Sequence, residues 1–128
     1  MPGAIRLQHV SVPMPPGGAE QARRFYGEAL GLIEIKPPSD LAHLALVWFG
    51  VGPDGHELHC FTAEQPGPKS PMQHLCLQVD DLPAVTARVA AHGVALEDAS
   101  PIRNRARVFV HDPFGNLVEL TEITGDYD

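Results

Sequence analysis

Leu7-Gln8-His9-Val10-Ser11-Val12, near the start of the chain, is echoed in its second half by Met72-Gln73-His74-Leu75-Cys76-Leu77. Both segments set Gln-His ahead of an apolar, small, apolar alternation, and that period of two predicts a strand with one face in a core. A match between segments this far apart is the mark of an internal repeat. The two histidines are therefore read as opening equivalent strands.

The segment after each strand repeats as well. Ala22, Phe25, Tyr26, Ala29 and Leu30 fall at i, i+3, i+4, i+7 and i+8, one apolar helical face, and Gly31 stands where a left-handed residue ends a helix. In the second half Asp80 or Asp81 caps the start, Pro83 suits the first turn, Leu82, Val85 and Val89 form the stripe, and Gly93 closes it. Strands are expected over residues 44–51 and 57–62 after the first helix, and over 107–111 and 116–121 after the second. The last hairpins agree too: Gly52-Pro53-Asp54-Gly55 and Asp112-Pro113-Phe114-Gly115 each put Pro second and Gly fourth, as a type I turn prefers. Pro37-Pro38-Ser39-Asp40 is read only as a loop, and Gln65-Pro66-Gly67-Pro68 as the linker between halves. The outcome is an α+β domain over residues 1–128, a βαβββ unit used twice, with modules at 4–64 and 70–124.

Composition narrows the partners. A chain of 128 residues that is 44% hydrophobic suits one globular domain. With 9 Lys and Arg against 16 Asp and Glu, its net charge of −7 repels a phosphate backbone and an anionic membrane surface alike. The longest apolar stretch, residues 44–51, is far short of a span, and the opening residues carry no basic-then-apolar leader, so a cytoplasmic location without membrane or nucleic acid is expected. Cys60 and Cys76 have no metal-ribbon or redox spacing and are expected as reduced, buried small residues.

Counting four residues on from the closing turn glycine gives His59 in one half and Glu119 in the other. Were the halves to pair as a pseudo-symmetric curved sheet, His9, His59, His74 and Glu119 would converge on its concave side. Imidazole and carboxylate are the donors that Zn, Ni, Mn, Co and Fe(II) accept, and two His with one carboxylate is the facial set of oxygen-activating iron. A lone strand histidine is more often a hydrogen-bonded surface or core residue; recurrence in a matched Gln-His frame is what singles these out. Glu57 competes with His59: the two share a face, and matching Glu57-Leu58 to Glu119-Leu120 favours Glu57 where turn counting favours His59. His43, His56, His92 and His111 lack repeat partners and are read as surface residues. Arg103, Arg105 and Arg107 alternate as a solvated strand edge does, with an anionic substrate as the second reading. Trp48 and Phe49 read as core or as a pocket wall. No phosphate-cradling loop or nucleophile elbow is present.

These residues resemble the vicinal oxygen chelate superfamily, which includes glyoxalase I, fosfomycin resistance enzymes, extradiol dioxygenases and bleomycin resistance proteins. The resemblance is carried by Gln8-His9-Val10-Ser11, by Arg24-Phe25-Tyr26 through Leu30-Gly31, and by Gln73-His74-Leu75 with Val79-Asp80-Asp81-Leu82. Asp112-Pro113-Phe114-Gly115-Asn116-Leu117-Val118-Glu119-Leu120 completes it. It implies a cupped mixed β-sheet with flanking helices, commonly in a homodimer, around a divalent metal. By motif position His9 and His74 match the ligands of the two equivalent strands, and Glu119 matches the terminal carboxylate. Bleomycin-binding members lack that set, so its presence favours an enzyme. The expected activity is a metal-dependent lyase or isomerase of glyoxalase type, acting on a small molecule with neighbouring oxygens, with Glu119 as the proton-moving base. An Fe(II) extradiol-type dioxygenase and a metal-free drug- or metabolite-binding protein are the alternatives. No thiol-donor or phosphonate motif supports a fosfomycin-type transferase.

Overall fold

A computed structural model describes residues 1–128. Its strands are β1 (His9–Met14), β2 (Ile33–Ile35), β3 (Leu46–Val51) and β4 (His56–Thr62), then β5 (His74–Val79), β6 (Glu97–Asp98), β7 (Arg105–His111) and β8 (Leu117–Ile123). Two four-stranded mixed sheets result, ordered β1-β4-β3-β2 and β5-β8-β7-β6, each with one parallel pair, β1 with β4 and β5 with β8. The same βαβββ path is thus drawn twice, and the glycine-ended helices and turns lie where the sequence pattern puts them.

The first helix starts as α1 (Ala19–Ala22) and continues over Arg23–Ala29 with a wider winding, the Leu30 N–H reaching back five residues to the Phe25 carbonyl at 2.9 Å. A 3.6-residue pattern does not foretell that widening. Gly31, at φ +76°, turns the chain out of the helix. The second helix, α2 (Leu82–Ala91), is capped by Asp81, whose side chain accepts from the Ala84 N–H at 3.1 Å. No helix is long and apolar enough to cross a membrane.

One apolar cluster of 18 buried residues joins both modules. Alternate strand positions feed it: Val12 and Met14, Val47 and Phe49, Leu58 and Cys60, Leu77, Val110, Val118 and Leu120. Each aliphatic side chain among them is worth about 1.5–3 kcal/mol when fully buried. Helix residues Phe25, Tyr26, Ala29, Val85 and Val89 pack into the same cluster. The helices therefore cover one face of the sheets, and parity sends His9, Ser11, Trp48, His59, His74, Cys76, Arg107, Phe109 and Glu119 to the other.

A buried polar knot ties the modules together. Tyr26, wholly buried, donates its hydroxyl to Asp112 Oδ2 at 2.7 Å. Asn116 Nδ2 donates to the same oxygen at 2.7 Å and to the Pro13 carbonyl at 3.0 Å. Asp112 Oδ1 accepts the backbone N–H groups of Phe114 at 2.9 Å and Asn116 at 2.8 Å, which fixes the turn. Burial, then the Asp112 charge, pushes the Tyr26 phenol well above its ordinary range. The Phe-Tyr and Asp-Pro-Phe-Gly-Asn motifs are thus two sides of one contact.

Two expectations need correction. Cys60 is buried, and burial lifts its thiol to about 12, but Cys76 is exposed because its parity places it on the face away from the helices. Arg107 is no solvated edge residue: its side chain is only 13% exposed. Phe49 is core, whereas Trp48, one position away, lies opposite.

Candidate functional site

Register fixes which residues correspond. In the first module His9 lies opposite Glu57 and Ser11 opposite His59; in the second His74 lies opposite Leu117 and Cys76 opposite Glu119. His59 is therefore the counterpart of Glu119, and Glu57 that of Leu117. Across the antiparallel pairs, Trp48 faces His59 as Phe109 faces Glu119, and Leu46 faces Phe61 as Arg107 faces Thr121.

The first half-site is aromatic. His59 is sandwiched between Trp48, ring centroids 3.5 Å apart and 3° from parallel, and His9, 4.2 Å and 19°. Its Nε2 meets Glu57 Oε1 at 2.8 Å, and that contact holds the Glu57 carboxyl below its usual value. Glu57 and His59, alternatives in the sequence, are neighbours in space.

The second half-site is charged. His74 Nε2 stands 3.0 Å from Glu119 Oε1, Arg107 Nη1 donates to the same oxygen at 3.2 Å, and the Thr121 hydroxyl donates to Oε2 at 2.5 Å. Burial raises the Glu119 carboxyl, but Thr121, the Arg107 guanidinium and His74 together outweigh it and hold the group below its ordinary value. Thr121 is not among the site residues expected from the sequence, and Arg107 enters there only as a strand-edge residue with an anionic substrate as its second reading. Alternation shows Arg107 sharing a face with its neighbours, not partnering Glu119.

The donors come together in pairs, not as four. His9, stacked on His59, lines a cleft of about 460 Å³ along with Glu57 and Leu77, while His74 opens onto another of about 340 Å³ beside Arg107 and Phe109. No three His, Cys, Asp or Glu side chains gather within the chain to hold an ion. In kind the donors suit a divalent metal; in number each half-site falls short. The orientation of the histidines also suits one. His74 Nδ1 donates to the Met72 carbonyl at 2.6 Å and His9 Nδ1 to Gln8 Oε1 at 2.6 Å, so both rings offer Nε2 outward. A carbonyl behind the far nitrogen is what fixes the ring of a metal-binding histidine.

Of the other histidines, His56 lines the cleft beside His9 and His111 the cleft beside His74. His111 pairs with Glu97 at 2.7 Å, His92 lies 3.7 Å from Glu28, and His56 donates to the Leu7 carbonyl at 2.7 Å.

Residues 6–120 match the family described as Glyoxalase/Bleomycin resistance protein/Dioxygenase superfamily. Among solved structures, a glyoxalase family protein from Bacillus anthracis is 30% identical, with a TM-score of 0.85 over 97% of this chain and 100% of that one. A glyoxalase/dioxygenase from Nostoc punctiforme is 21% identical at a TM-score of 0.75, covering 94% and 92%. A lactoylglutathione lyase from Agrobacterium tumefaciens is 24% identical at 0.66, covering 94% of each. None of the curated proteins matches the chain.

Proposed function

The chain belongs to the Glyoxalase/Bleomycin resistance protein/Dioxygenase superfamily, and from that premise we propose that it is a cytoplasmic, divalent-metal-dependent enzyme acting on a small molecule with neighbouring oxygens, as a lyase or isomerase of glyoxalase type. The observation that carries this reading is the matched pair of histidines, each with Nδ1 spent on a carbonyl oxygen, and with the Nε2 of His74 against a buried carboxylate at 3.0 Å.

The site is completed in a homodimer. A two-fold axis sets the His9–His59 pair of one copy against the His74–Glu119 pair of the other, twice, because the two modules are near-copies and the half-sites lie on corresponding faces. Zn, Ni, Mn, Co and Fe(II) all accept such a set. When bound, the ion supplies Lewis acidity to adjacent substrate oxygens. His9, His59, His74 and Glu119 would hold it, with Glu57 behind His59. Glu119 accepts the proton from the carbon beside the substrate carbonyl, and Thr121 and Arg107 aim its two oxygens.

The test is metal titration of protein purified without added ions, with sedimentation to give the oligomer. One divalent ion per chain in a dimer is expected; no uptake overturns the metal reading. One observation favours a second reading, a metal-free binding protein: Glu119 is already satisfied by Arg107, Thr121 and His74 within the single chain. The same titration separates the two, and anaerobic Fe(II) with oxygen consumption separates a dioxygenase from a lyase.

A further inference from the structure

Arg107 is costly where it stands. A guanidinium that is 13% exposed is unfavourable unless its charge and its N–H groups are met. Glu119 meets the charge, and Nε and Nη2 both donate to the Ser100 carbonyl, at 3.2 and 2.8 Å. Three of its five N–H groups are thereby used, leaving one on each terminal nitrogen. The corresponding place in the first module is Leu46, where the counterpart of Glu119 is His59 and no carboxylate needs a guanidinium.

Arg107 borders the cleft of about 340 Å³, whose other walls include Met72, His74, Phe109 and Leu117. Of the carboxylates around it, Glu97 is paired with His111 at 2.7 Å, Asp98 is exposed, and Glu119 is bound to Arg107 itself. A planar group with two acceptor oxygens fits the free pair of N–H groups as a fork meets a fork. The apolar walls ask for a hydrocarbon portion next to it.

We propose that Arg107 is a specificity-determining residue, holding the carboxylate of a small 2-hydroxy acid with an apolar side chain. The side chain lies among Met72, Phe109 and Leu117, and the hydroxyl turns toward His74 and Glu119. This names the substrate class of the proposed metal site and rests on that reading for turnover, though not for binding.

The probe is 2-hydroxy-4-methylpentanoate against its methyl ester, which keeps the hydroxyl and removes the anionic fork. Calorimetric titration is run on the dialysed protein and again with zinc. The acid binds at least about tenfold more tightly than the ester. Arg107→Leu, carrying the first module's own residue, abolishes the preference, and Arg107→Lys keeps only part of it because an ammonium cannot offer two parallel donors. Equal affinity for acid and ester, undiminished preference in Arg107→Leu, or no acid binding up to about 10 mM overturns the assignment. A preference that persists without zinc uptake leaves Arg107 standing and removes the metal reading; zinc uptake without the preference does the reverse.

Discussion

His74 presents Nε2 to Glu119 Oε1 at 3.0 Å while its Nδ1 is committed to the Met72 carbonyl at 2.6 Å. A carbonyl only accepts, so Nδ1 carries a proton. The Nε2 and Oε1 atoms that face each other are both donors that a divalent cation accepts. Removing either partner should therefore register in metal affinity: Glu119→Gln or His74→Ala lowers it by about tenfold or more in direct titration.

Mixing His9→Ala and His74→Ala chains distinguishes a shared site from a self-contained one. If each site draws on two copies, a hybrid dimer has one doubly damaged site and one intact, so isolated hybrids bind about half the wild-type metal and a randomly paired equal mixture about a quarter. Sites confined to one chain recover nothing.

Tyr26→Phe removes a buried donor to a carboxylate that also leans on Asn116, and should cost about 1–3 kcal/mol at pH 7. The pH dependence has a definite sign. The phenol is raised in the folded state above its ordinary 10.0, so its contribution is complete below pH 10 and is lost as pH rises further. Above pH 10 the wild type should lose about 1.4 kcal/mol per pH unit relative to Tyr26→Phe. Urea unfolding at pH 7 to 11 measures both.

Gly31→Ala forces φ +76° on a residue with a side chain and drives its Cβ to within 2.8 Å of Arg88 Nη2. Because Arg88 Nε holds the Ala29 carbonyl at 2.8 Å, the guanidinium is not free to retreat. A loss of about 1–2 kcal/mol in thermal or chemical unfolding is expected.

Thiol labelling reads the parity of the strands. Cys60 is buried, with its thiol lifted to about 12, whereas Cys76 is exposed, although burial raises its thiol as well. A thiol reagent at pH 8 should take up one equivalent in the native protein and a second only after denaturation.

Much of this architecture is legible in the chain. The matched Gln-His strands mark the two modules, and counting from the turn glycines pairs His59 with Glu119, as the register does. Alternation tells which residues share a face, but not how far apart two faces of different sheets lie. The four donors therefore read as one cluster where the chain alone holds two pairs. Arg107 escapes for a similar reason: its burial depends on the Ser100 carbonyl and the Glu119 carboxylate, contacts that local periodicity does not encode. Cys76 reads as interior because small thiols usually are, although its place beside His74 in the alternation points outward.

The Tyr26–Asp112–Asn116 knot sits on the helix side, with the chemistry on the other. Instructions for becoming this shape are thereby written apart from instructions for what the shape does. One set can drift under selection for new reagents while the other stays under selection for solubility. A library randomised at Leu46, Trp48, Phe61, Arg107 and Phe109 should consequently yield mostly well-behaved proteins, whereas the same diversity at Tyr26, Asp112 and Asn116 should yield mostly aggregates.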